Sequence, residues 1–161
     1  MKKKTKTLLA AISLVAYLAV LLKLFVFKDF SLSIFSLHYR YPVLWMVDNN
    51  YVPLKTILPY LIGHPTWLDA IRNVLGNIIP FMPIGFLLPL VYRPISWKGV
   101  LGIAVAFSLC IEIPQLVLRA GIFDVDDILL NTLGSMLGYL VFLLLSQSLA
   151  LRSRPGTIGP P

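Results

Sequence analysis

Glu112, Gln115 and Arg119 fall three and four residues apart, the spacing that lines side chains along one face of a helix. Asp124, Asp127 and Asn131 repeat that spacing after a short break at Gly121, and Gly134 and Gly138 continue the stripe. Asn73 and Asn77, one helical turn apart, form a third polar face earlier in the chain. Carboxylates beside a guanidinium and carboxamides support three kinds of chemistry. A carboxylate such as Glu112, Asp127 or Asp124 can act as a general base, and Arg119 can hold a phosphate or carboxylate. The same groups can bind a ligand without reacting. They can also serve only as caps and interhelical hydrogen bonds: Asp124 and Asp127 at a helix start, Arg119 at a helix end, the asparagines between helices, and the glycines as a packing face. Glu112 lies inside an apolar run, where capping does not account for it and an ionisable residue costs roughly 2.5–3.5 kcal/mol on insertion scales.

The elements that must position these residues are membrane helices. The chain of 161 residues is 58% hydrophobic and 13% charged, about half the ~25% charge of a soluble domain, and its mean hydropathy is +0.83. The net charge of +7 sits at the ends of apolar runs with no basic stripe, which argues against nucleic acid. Cys110 stands alone, and His38 and His64 lie far apart, so no metal and no cofactor is expected. The pattern predicts an all-α membrane protein with four transmembrane helices at about 8–27, 72–92, 97–120 and 124–148. They form a single domain over 1–150, followed by a disordered cytoplasmic tail over 151–161.

Between the first two spans runs a long outer interfacial loop, residues 28–66, rich in proline and in aromatic residues such as Tyr39, Trp45, Tyr51 and Tyr60. Trp67, Leu68, Ile71 and Leu75 suggest a short amphipathic lead into the second span. In that span Pro80 and Pro83 deprive the carbonyls of Gly76 and Ile79 of their helical donors. Lys2, Lys3, Lys4, Lys6, Arg93, Lys98, Arg152 and Arg154 would lie inside. Lys28, Arg40, Lys55, Arg72 and Arg119 would lie outside, giving cytoplasmic N- and C-termini. At ~1.5 Å per residue the three polar stripes then share one depth, the outer third of the membrane, with Glu112 roughly 12 Å from its helix end.

Taken together, these residues resemble the VanZ-like family of small bacterial membrane proteins. The resemblance rests on the stretch from Asn50 through Thr56 and Ile57, on Asn73-Val-Leu-Gly76-Asn77 with Pro83 and Gly85, and on Glu112-Ile-Pro-Gln115. It continues through Arg119, Asp124-Val-Asp-Asp127 and Asn131-Thr-Leu-Gly134-Ser-Met-Leu-Gly138. It covers about residues 48–140 and departs at Leu54, where the family often has an aromatic residue, and at Pro80 and Pro114. It implies a multi-pass protein of the bacterial plasma membrane linked to glycopeptide resistance, above all to teicoplanin, whose lipid tail enters the membrane.

On this reading Asn73, Asn77, Glu112, Gln115, Arg119, Asp124, Asp127 and Asn131 line a ligand pocket in the outer leaflet. The partners are membrane lipids and a lipoglycopeptide or lipid-linked envelope precursor. The alternative is an enzyme acting on a lipid-linked cell-wall precursor, with Glu112 or Asp127 as general base and Arg119 as anion holder. A transporter is the third reading, and four spans without an internal repeat argue against it. The natural ligand and the oligomeric state stay open.

Overall fold

The computed structural model describes residues 3–26, 48–118 and 121–152. The first part of the expected interfacial loop, Arg119 and the tail from residue 153 lie outside them. Four helical stretches are long and apolar enough to cross a membrane. The first is α1 (Lys3–Val26). The second combines α3 (Trp67–Ile78), a 3₁₀ turn (Ile79–Phe81) and α4 (Met82–Val91). The third is α5 (Trp97–Leu118) and the fourth α6 (Val125–Arg152). A one-turn helix, α2 (Ile57–Leu61), precedes the second span. The protein is an all-α, multi-pass membrane protein.

Local chemistry sets the helix boundaries. Thr66 caps α3: its hydroxyl oxygen accepts the N–H of Asp69 at 3.1 Å and donates to the Asp69 carboxylate at 2.7 Å. The helix therefore starts at Trp67, and the amphipathic lead and the second span are continuous. Pro80 and Pro83 interrupt that span as a 3₁₀ turn. There the N–H of Met82 bonds to the Ile79 carbonyl that Pro83 cannot serve. The carbonyls of the turn itself find donors on neighbouring helices. Tyr17 of α1 donates its hydroxyl to Pro80 O at 2.7 Å, and Ser135 of α6 donates to Phe81 O at 3.2 Å. In hydrocarbon a broken helix persists only when its backbone groups are satisfied in this way.

α6 is the central element, packed against α3, α4 and α5, while α1 lies against α4 and α5. Phe81, Ile84, Val100, Ala104 and Ile111 are fully buried between the helices. Phe81 stands edge-on to Phe25 with ring centroids 5.5 Å apart. Lipid is as apolar as these side chains, so close packing rather than water exclusion holds the helices together. Glycine provides that packing on the α3/α4–α6 seam. A Cβ at Gly85 would sit 1.7 Å from Ser135 O, one at Gly134 2.1 Å from Ile78 O, and one at Gly138 1.8 Å from Met82 O.

Gly85→Ala should therefore force α4 off α6 and lower stability by about 1–3 kcal/mol, the usual cost of overpacking. Gly102→Ala, with nothing within 4 Å of the added carbon, should be neutral or stabilising by up to ~1 kcal/mol. Thermal unfolding in detergent, followed by helical circular dichroism, checks the pair.

Candidate functional site

The first turn of α6 gathers three carboxylates, and α5 brings a fourth. Asp124 precedes the helix and caps it: its Oδ1 accepts the N–H of Asp126 at 2.8 Å. Glu112, 1% exposed on α5, accepts the N–H of Asp124 at 3.0 Å. A carboxylate in mid-span is thus aimed at the positive end of the neighbouring helix, where both the dipole and an otherwise orphan N–H favour it. Glu112 has a capping role across helices, which its position within an apolar run did not suggest.

Asp127, one turn into α6, accepts a short hydrogen bond from the Asn77 side-chain amide of α3. One turn further, Asn131 donates to Ser108 Oγ of α5 at 2.8 Å. The polar faces of α3, α5 and α6 therefore converge on one end of the helix bundle. Asn77, Asp127 and Asn131 are all buried. Asn131 Oδ1 is an enclosed acceptor with no donor among the described residues, and so is Oδ1 of half-buried Asn73.

Gln115 does not hold the Glu112 carboxylate. Its amide nitrogen donates to Phe25 O at 2.7 Å, satisfying one of the last carbonyls of α1. Its buried Oε1 also lacks a donor among the described residues. Three residues along a helix turn through ~300°, leaving Gln115 ~60° around from Glu112 and on the side that faces α1. Arg119 lies outside the described residues.

A second layer belongs to residues given no site role from the sequence. Asp126 is 0% exposed, and its carboxylate accepts the backbone N–H groups of Leu54, Thr56 (2.7 Å) and Ile57 (3.1 Å). It thereby caps α2 from a distance. Asn50 donates to Asp124 Oδ1 at 2.8 Å and to Thr56 Oγ1 at 3.1 Å, and Thr56 donates to Asp124 Oδ2 at 2.7 Å. Backbone bonds Asn50 N to Phe123 O (2.8 Å) and Val125 N to Asn50 O (3.0 Å) complete the zipper. The Asn49 side chain accepts the Phe123 N–H at 2.9 Å, and Tyr51 stacks on Phe123.

Residues 49–57 are in this way docked onto the start of α6. Leu54 at the turn takes φ 69°, a left-handed conformation that points its N–H at Asp126. The available signal was chemical: Asn50-x-Val52 forms an Asx turn, with Asn50 Oδ1 accepting the Val52 N–H at 3.0 Å.

The acids divide by task. Both oxygens of Asp124 and both of Asp126 are taken up by caps and loop contacts, whereas Glu112 reaches the start of α6 from α5 and Asp127 is bonded to Asn77 of α3. Asp126→Ala should remove three charge-assisted bonds, each typically worth about 1.5–3 kcal/mol, and free the docked segment. Trypsin cleavage after exposed Lys55 should then rise at least tenfold, roughly 1.4 kcal/mol or more of lost protection. Asp124→Asn should cleave like the wild type, because a carboxamide still accepts at Oδ1 and caps about as well.

The VanZ/LLP1 family model matches residues 14–146, a range that includes both layers and leaves out the first turns of α1 and the end of α6. Protein VanZ of Enterococcus faecium is 29% identical over 127 residues, covering 78% of this chain and 68% of that relative. No solved structure is matched. With a match over most of its length and four helices able to span a membrane, the chain belongs to the VanZ/LLP1 family.

Proposed function

We propose that this protein contributes to tolerance of lipid-tailed glycopeptides of the teicoplanin type, as a non-enzymatic module that meets its ligand in the outer leaflet of the bacterial plasma membrane. The observation that carries the reading is the buried, acceptor-rich cluster of Glu112, Asp127, Asn77 and Asn131 at one end of four apolar helices. Its carboxylates and the enclosed oxygens of Asn73, Gln115 and Asn131 suit a ligand that brings N–H and O–H donors. The adjoining segment exposes Tyr51, Val52, Leu54, Leu58 and Leu61, side chains fitted to the headgroup boundary, where a ligand inserts an acyl chain. Membership of the VanZ/LLP1 family and the likeness to protein VanZ support the same role.

In this reading Glu112, Asp127 and Asn77 bind, with Asn73, Gln115, Arg119 and Asn131 around them, while Asp124 and Asp126 hold the entrance segment. The N- and C-termini are cytoplasmic, following the distribution of lysine and arginine. On a Cys110→Ala background, His64→Cys should react with an impermeant thiol reagent in intact cells and Gly156→Cys should not. The opposite labelling would put the cluster on the cytoplasmic side and end the proposal.

Expression in a sensitive Gram-positive host should raise tolerance to teicoplanin more than to vancomycin, which lacks the lipid tail. Glu112→Ala or Asp127→Ala should abolish the gain at unchanged membrane abundance, and Asp124→Asn should keep most of it. Equal protection against both drugs, or full protection by the Glu112 variant, refutes the proposal.

A further inference from the structure

A second feature lies on the same α4–α6 seam, beyond the polar cluster and along the first half of α4. Met82, Pro83, Phe86 and Leu87 of α4 and Gly138 and Val141 of α6 line an open groove of about 300 Å³, at the low end of ligand-site volumes. Every lining residue is apolar. Gly138 brings the two backbones together at the groove floor, since even a Cβ there would meet Met82 O. The 10 residues of α4 span ~15 Å at ~1.5 Å per residue, the depth of one leaflet of a ~30 Å hydrocarbon core.

Just past the end of α4 stands Arg93, an exposed residue. It is fixed in place by two contacts. Its Nε donates to Pro89 O at 3.0 Å, serving a carbonyl that the ending helix leaves open. Its guanidinium lies 5.6 Å from the centroid of the Phe142 ring, which in turn packs edge-on against Phe86. No carboxylate among the described residues pairs with it, and its two terminal amino groups keep their donors for an anion. The apolar trough along the first half of α4 therefore leads, through Phe86 and Phe142, towards a fixed cation roughly 9 Å beyond it that can hold a phosphate.

We propose that the groove between α4 and α6 seats one acyl chain of an anionic membrane phospholipid, whose phosphate is held by Arg93. The site is separate from the polar cluster, and its occupant is a resident lipid. Charge complementarity sets the choice: in a membrane any lipid chain can enter the trough, and an anionic headgroup gains most from the guanidinium at its end, because a zwitterionic headgroup sets its own ammonium beside the phosphate.

The test is native mass spectrometry of the full chain purified in dodecyl maltoside with added dioleoylphosphatidylglycerol or dioleoylphosphatidylcholine. The wild type should retain phosphatidylglycerol at least tenfold better. Arg93→Gln should reduce the preference to within twofold, whereas Lys98→Gln, which removes a nearby cation resting on Trp97, should leave it unchanged. Val141→Trp should fill the trough and cut retention of both lipids at least fivefold, and Ile103→Trp on an exposed face of α5 should not. Phe142→Leu keeps the charge but removes its support, and should lower the preference severalfold even if Arg93→Gln does not fold. Helical circular dichroism and monodisperse elution establish that each variant is folded. Equal retention of the two lipids, undiminished preference in folded Arg93→Gln or Phe142→Leu, an equal loss in Lys98→Gln, or wild-type retention in Val141→Trp overturns the proposal.

Discussion

An anion within the depth of a membrane is tolerated only when donors and a favourable field surround it, and the start of α6 is where this chain meets that constraint. A helix N-terminus offers unpaired N–H groups and about half a positive charge. Asp124 and Glu112 use both, the first from the cap position and the second from the adjacent helix. Asp126 is stabilised differently, by three backbone N–H groups of an irregular segment. Asp127 is held by a carboxamide from α3. Each carboxylate has its own type of donor, which helps three acids at the start of α6 lie beside a fourth from α5.

The same constraint governs the second span. Pro80 and Pro83 would be destabilising in an isolated membrane helix, because each deletes a donor where water cannot replace it. Here the break becomes a 3₁₀ turn, and Tyr17 and Ser135 reach its carbonyls from α1 and α6. The Ser135 donor acts only if α6 lies very close, and Gly134, Gly138 and Gly85 are the positions that permit it. The prolines and the glycines form one device: the first create backbone acceptors, and the second admit the helix that satisfies them.

The helices and the meeting of their polar faces were legible because the 3.6-residue period carries the face of every residue with it. Asn77 and Asp127 do touch, while Asn131 of the α6 stripe bonds to Ser108, a turn before Glu112 on α5 and not among the residues singled out from the sequence. Gln115 shows the limit of that reading, since a residue at the edge of a stripe can serve a different neighbour. Residues 49–57 were not legible as part of the site. An irregular segment has no period, and most of its bonds to Asp126 come from main-chain N–H groups, which are the same for any side chain. Asp126 itself falls off the Asp124–Asp127–Asn131 stripe, so spacing gave no reason to choose it.

Two layers of carboxylates around the start of α6 have a mechanical consequence. Asp124 and Asp126 hold the docked segment, whereas Glu112 of α5 bonds to the start of α6 and Asp127 to α3. Undocking residues 49–57 breaks the contacts of the first pair and leaves the Asn77–Asp127 bond in place. The Asn77–Asp127 contact between α3 and α6 therefore does not depend on the docked segment. The Glu112 carboxylate, by contrast, bonds to the N–H of Asp124, the residue whose side chain receives Asn50 and Thr56. A change at Glu112 therefore reaches the docked segment through the cap of α6, and by linkage a change in the segment acts back on Glu112 to the same extent.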